Sequence, residues 1–158
     1  HDNQSLPYSM TGTKNEEITQ EILRFPLKNL KGEQTTLDEE NGWLLVDLWQ
    51  FGCEPCYEKF KKFGKEKASE GQTTLEKAGV KLLCINPLSD NMEQIKKVAD
   101  KYNVNDLLYA GKGLNTLIKA QYYPTFYLIS PKKEVVLKGN SINDDEIMET
   151  IEKYKLKK

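Results

Sequence analysis

The chain has 158 residues, 38% of them hydrophobic and 30% charged, which supplies one sizeable core and not two. A formal net charge of -1 gives no positive field suited to nucleic acid or anionic membranes, and no apolar run approaches the about 18 residues of a membrane span. Three Cys and a single His, at position 1, all but exclude a histidine triad, a His-rich metal cage or a histidine-ligated haem, so thiols or carboxylates must carry any chemistry.

The chain opens His1-Asp2-Asn3-Gln4 without an initiator Met. It reads as a processed or engineered form from which any signal sequence has gone, and a removed signal would fit an extracytoplasmic protein. Residues 1–22 are polar and lack a sustained period, so the expectation is an arm or tether, or else a docked helix, ahead of one domain over 23–158. Phe25–Leu30 alternates apolar and polar and turns at Lys31-Gly32, which predicts a hairpin into Gln34–Leu37. Trp43–Trp49 is nearly continuous in apolar residues, as a buried central strand should be. A helix is predicted from about Glu54 to Ala68, with Tyr57, Phe60 and Phe63 on one side. Val80–Asn86 reads as a second buried strand, stopped at Pro87, and Met92, Ile95, Val98, Ala99 and Tyr102 fall at helical spacing. A short helix near Leu114–Gln121 leads to a strand at Thr125–Ile129. The turn Ser130–Lys133 joins that strand to Glu134–Lys138 as a hairpin. Asn143 caps the last helix with Glu146 as its box partner, and Ile147, Ile151 and Tyr154 face the core. This alternation predicts a three-layer α/β domain with a mixed sheet.

The sharpest feature is Cys53-Glu54-Pro55-Cys56, directly after a buried strand and at a helix start. Residues three apart on a helix share a face about 5–6 Å apart at Cβ, so a small adjustment brings two thiols to disulfide distance. A thiolate on Cys53 sits beside unpaired helix amides and the positive end of the dipole, which lower its pKa and make it the nucleophile. Cys56, one turn further in, suits the resolving role. Three plainer readings stand beside exchange chemistry: a zinc site, a purely structural disulfide, and two unrelated buried thiols. Zinc asks for four ligands, and only Cys84 and a terminal His remain. A structural disulfide over so short a loop adds little chain-entropy stabilisation.

Leu45-Val46-Asp47-Leu48-Trp49, then the Cys53–Cys56 motif, then Tyr123-Pro124-Thr125 resembles the thioredoxin fold, and most closely the ResA/TlpA-like thiol–disulfide oxidoreductases that work outside the cytoplasm. The resemblance covers roughly residues 24–155 and includes an added N-terminal hairpin like Phe25–Leu37. It implies a redox-active Cys53–Cys56 disulfide in place of any separate cofactor or metal, with Cys53 attacking and Cys56 resolving. It also implies a cis-proline at Pro124 packed on the dithiol, beside which the backbone of Tyr123 pairs with a client strand. From composition alone Pro124 is an ordinary trans proline at a strand start. Asp47, six residues before Cys53, matches the buried aspartate of thioredoxins. A carboxylate inside an apolar strand is costly unless partnered or protonated, so its reading is a proton acceptor for Cys56, through water, with a raised pKa. The alternative is a side chain satisfied by a backbone or hydroxyl partner.

Glu54 reads either as a carboxylate that only stabilises the first turn of the helix or as a negative charge next to the thiolate; in the second reading it joins Pro55, which removes an amide that could bond sulfur, in favouring a reductant over a strong oxidant. Two positions depart from the family. Gly52 stands where relatives carry Trp, and Lys61 where many carry a helix-kinking proline, which predicts a straighter helix. Cys84, flanked by Leu82, Leu83 and Ile85, reads as core rather than a third redox partner. Lys59, Lys61, Lys62, Lys65 and Lys67 read as a solvated face rather than a docking patch for an acidic partner. Trp49 reads either as a redox-sensitive neighbour of the dithiol or as a core anchor.

The function expected is thiol–disulfide exchange with client proteins. The resemblance implies an extracytoplasmic, monomeric reductant serving cytochrome c maturation or general thiol homeostasis, recharged by a membrane-bound thiol donor. The alternatives are an oxidase or isomerase, a binding domain with a vestigial dithiol, and a peroxidase on the same fold; for the last, the peroxidatic threonine–cysteine context before Cys53 is missing.

Overall fold

In a computed structural model of the chain, residues 4–5 and 18–157 are described. Eight strands form one mixed sheet in the order β1-β8-β7-β4-β5-β6-β2-β3. They are β1 (Gln4–Ser5), β2 (Leu27–Asn29), β3 (Gln34–Thr35), β4 (Trp43–Leu48), β5 (Val80–Asn86), β6 (Leu108–Ala110), β7 (Thr125–Ile129) and β8 (Val135–Gly139). The helices are α1 (Gln20–Leu23), α2 (Glu54–Glu70), α3 (Thr74–Lys77), α4 (Met92–Tyr102), α5 (Leu114–Ile118) and α6 (Asp144–Leu156). The architecture is the thioredoxin-like α/β/α arrangement.

The centre of the sheet is β4, buried on both faces and paired in parallel with β5 and antiparallel with β7. Its unbroken apolar run lets it occupy that place, because successive residues point to opposite sides and both sides are covered. Leu45 and Trp49 face a core built with Phe60 and Phe63 of α2, Ile95 of α4 and Ile147 of α6, whereas Leu44, Val46 and Leu48 face Ile22 of α1 and Leu114 of α5. The hairpin of β2 and β3 is antiparallel, and β2 continues onto β6.

Four elements lie outside the predicted set. Strands β1 and β6 and helices α1 and α3 are two to four residues long, too short to show a period. The arm expected over residues 1–22 lies largely outside the described residues. Its last part packs on the domain: Ile18 and Ile22 are buried beside Leu23 in the core under α5. Helix α2 runs unbroken for 17 residues to a left-handed cap at Gly71, as a chain with Lys61 in place of proline allows.

Candidate redox site

Strand β4 ends at Leu48, and the chain turns through Phe51-Gly52 straight into α2. Cys53 is the N-cap of that helix, Glu54 and Pro55 occupy its first turn, and the Cys56 N–H donates to Cys53 Sγ at 3.2 Å. Pro55 costs nothing there, because its missing N–H would have no partner within the helix. Cys53 and Cys56 form a disulfide with Cα atoms 5.3 Å apart. Cys53 is 7% exposed and Cys56 fully buried, so of the two only Cys53 offers any surface to a partner. Glu54 and Pro55 are exposed beside them.

Asp47 lies on β4, between Cys84 of β5 and Phe126 of β7 in register. It is fully buried, and neither carboxylate oxygen accepts a hydrogen bond from the described residues. Among the described residues no backbone or hydroxyl partner satisfies it. Burial pushes its pKa up to about 7, against the pull of the Lys59 ammonium and of the Cys84 thiol across the strand pair. Burial and the charge of Asp47 in turn raise the Cys84 thiol well above its ordinary value. Cys84 is buried among core residues and is the one free cysteine.

The lysine run on α2 needs correction. Lys61 and Lys65 are exposed, but Lys59, Lys62 and Lys67 are half-buried. Lys59 donates to the Ile142 carbonyl at 3.0 Å and sits 5.5 Å over the Phe126 ring, and burial lowers its pKa. Lys62 pairs with both Glu66 and Asp144 at 2.8 Å, and Lys67 with Asp106 at 2.7 Å. These ammonium groups are spent on holding α2 to its neighbours. Lys59 is a site residue that sequence reasoning missed, because the chain segment that covers it follows β8.

The Tyr123–Pro124 peptide is cis. Asn140, at the end of β8, donates to the Pro124 carbonyl at 2.8 Å and to Thr125 Oγ1 at 3.1 Å, tying the proline turn to the neighbouring strand. The Tyr123 ring packs against both cores, and its hydroxyl is buried without a partner among the described residues. A groove of about 620 Å³ beside the dithiol is lined by Glu54, Pro55, Lys59, Pro124, Phe126 and Asn140. Trp49 offers no surface to a client: it is fully buried, donates to the Cys84 carbonyl at 3.0 Å and meets Phe51 and Phe60 edge-on. It anchors the core.

Cys53, Cys56, Asp47 and Cys84 thus belong to the α2 side of the sheet, with Pro124 and Tyr123 at the adjoining rim. Among the described residues no group of three or more His, Cys, Asp or Glu is placed to hold a metal ion, and no helix is long and apolar enough to cross a membrane.

A fold of this kind, carrying a vicinal dithiol at the start of the helix that follows its central strand, defines a thioredoxin-like oxidoreductase. The AhpC/TSA family model matches residues 18–138, and the chain belongs to that family. Among solved structures it is similar to the thioredoxin domain of a thiol-disulfide oxidoreductase from Bacteroides vulgatus, at 18% identity and a TM-score of 0.63 over 82% of this chain and 91% of that one. It is also similar to a secreted Mycobacterium tuberculosis disulfide oxidoreductase described as homologous to E. coli DsbE, at 13% identity and a TM-score of 0.62 over 85% and 99% of the two chains. A peroxiredoxin Q from Xanthomonas campestris shares the fold at 16% identity and a TM-score of 0.64 over 87% and 95%. Among curated proteins no sequence match is found.

Proposed function

We propose that the protein reduces disulfides of client proteins outside the cytoplasm through Cys53 and Cys56, and is recharged by a membrane-bound thiol donor. The observation that carries the reading is the asymmetric pair at the N-terminus of α2: a reachable Cys53 whose sulfur faces helix amides, and a buried Cys56 behind it. In the reduced protein the Cys53 thiolate attacks one sulfur of the client disulfide. A Cys53–client disulfide forms, the client S–S bond breaks, and the departing client thiolate takes a proton. Cys56 then passes its proton through water to Asp47 and attacks Cys53 Sγ, which closes the intramolecular disulfide and releases the second client thiolate. Two electrons pass from the dithiol to the client, and the thiol donor returns them.

The extracytoplasmic reductant role rests on the ResA/TlpA-like motif set and on the charge of Glu54 beside the thiolate. Cytochrome c maturation or general thiol homeostasis is the setting it suits. The test is a pair of measurements. Cys56→Ser should retain client proteins on Cys53 as mixed disulfides that a reductant releases. The reduction potential of the wild-type couple should lie near that of thioredoxin, about -270 mV, and not near the about -120 mV of a strong oxidant. An absence of trapped species would remove the exchange role; an oxidising potential would replace reductant with oxidase. The family match also favours a second reading, reduction of a peroxide by the same dithiol. Rapid consumption of hydrogen peroxide by reduced protein, abolished in Cys53→Ser, would establish it.

A further inference from the structure

Gly52, the residue before the nucleophile, adopts a φ of 78°, and a Cβ built on it would meet no heavy atom within 4 Å. Backbone shape and not crowding therefore selects glycine, and such a residue is free to leave this shape unless something holds it. The holder is Tyr57. Its hydroxyl accepts the Gly52 N–H at 2.8 Å, while its own N–H donates to the Cys53 carbonyl at 3.1 Å. One residue thus grips the chain on both sides of the Cys53 nitrogen. The ring that carries the hydroxyl is fixed in turn: it stacks on Tyr102 of α4, with centroids 5.4 Å apart and planes at 24°, and leans on Phe60 at 6.2 Å.

We infer that Tyr57 is a positioning residue for Cys53, a clamp that holds the turn before α2 so that the sulfur stays at the helix N-cap. The inference rests on the exchange reading. Where the family resemblance leads one to look for a bulky Trp before the nucleophile, this chain has a glycine, and the tyrosine one helical turn further on supplies the restraint through a single hydrogen bond. With the hydroxyl gone, Gly52 regains its freedom and the Cys53 sulfur spends less time facing the helix amides that make it reactive.

The test uses the full-length reduced protein. Tyr57→Phe keeps the ring and its stacking and removes only the acceptor. Alkylation of Cys53 by iodoacetamide at neutral pH, measured in a Cys56→Ser background, should slow about fivefold, the factor one hydrogen bond of ordinary strength supplies. The Gly52 amide should exchange with solvent about tenfold faster than in the parent and its proton resonance should move upfield. Unchanged alkylation in Tyr57→Phe, or a Gly52 amide already unprotected in the parent, overturns the clamp. These readouts need no client. Alkylation that depends on Tyr57 in a protein that traps no client leaves the clamp standing and sinks the exchange reading.

Discussion

The Asp47 carboxyl, pushed up to about 7 from 3.8, keeps its proton in the folded chain at pH values where the unfolded chain has released it. Because the unfolded state then binds fewer protons than the native one, stability falls as pH rises from about 4 to about 7 and the loss is complete above that. Asp47→Asn removes the titration. Its gain in unfolding free energy by urea denaturation should be roughly 2–4 kcal/mol larger at pH 8 than at pH 4. The new amide's own burial cost is common to both pH values and cancels in the difference, and an equal effect at both would refute the assignment. The same substitution should slow the Cys56 step, followed as decay of the mixed disulfide, by about a hundredfold near neutral pH. Lys59→Met takes away the cation that pulls the Asp47 pKa down, so the fall in stability with pH should end at higher pH than in the parent.

Two contacts hold the helices in place, one between elements and one at a helix end. Helices α2 and α4 cross where Gly64 meets the end of α4: a Cβ on Gly64 would overlap the Tyr102 carbonyl oxygen and lie 3.1 Å from its carbon. Backbone cannot yield there as a flexible side chain can, so Gly64→Ala should destabilise by about 3 kcal/mol in chemical denaturation. At α6, Asn143 accepts the Glu146 N–H at 2.8 Å and Glu146 returns the bond at 3.2 Å. Asn143→Ala should cost about 1 kcal/mol. Much of this was legible beforehand. The capping box at Asn143 is a pattern of two residues, the Cys53–Cys56 motif follows an unmistakable buried strand, and the apolar faces of α2, α4 and α6 repeat with the helical period. What escaped was set by distance along the chain. Leu108–Ala110 becomes a strand because β5 and β2 lie on either side of it, not through any local alternation. Lys59 reads as one lysine among five until the loop after β8 brings the Ile142 carbonyl to it, a separation of 83 residues. Tyr57 reads as one of three aromatic residues on a helix face, and nothing local says that its hydroxyl turns back to Gly52.

Across the whole molecule, both cores attach to β4, one on each of its faces, and the segment before β2 completes the second of these. Ile18, Ile22 and Leu23 are 7%, 2% and 5% exposed. Burying an apolar side chain of this size contributes about 1.5–3 kcal/mol. A chain beginning at Arg24 should therefore melt more than about 10 °C below one beginning at Ile18, whereas equal melting temperatures would return residues 18–23 to the status of an arm. The free thiol on β5 has a different consequence. With the disulfide reduced, three thiols are present, but Cys84 is fully enclosed between β4 and β6. A small thiol reagent can mark it only during the moments when the sheet comes apart. The chain therefore carries its own clock for rare openings: the rate of the third label, divided by that of the same thiol in urea, gives the fraction of time β5 spends separated from its neighbours.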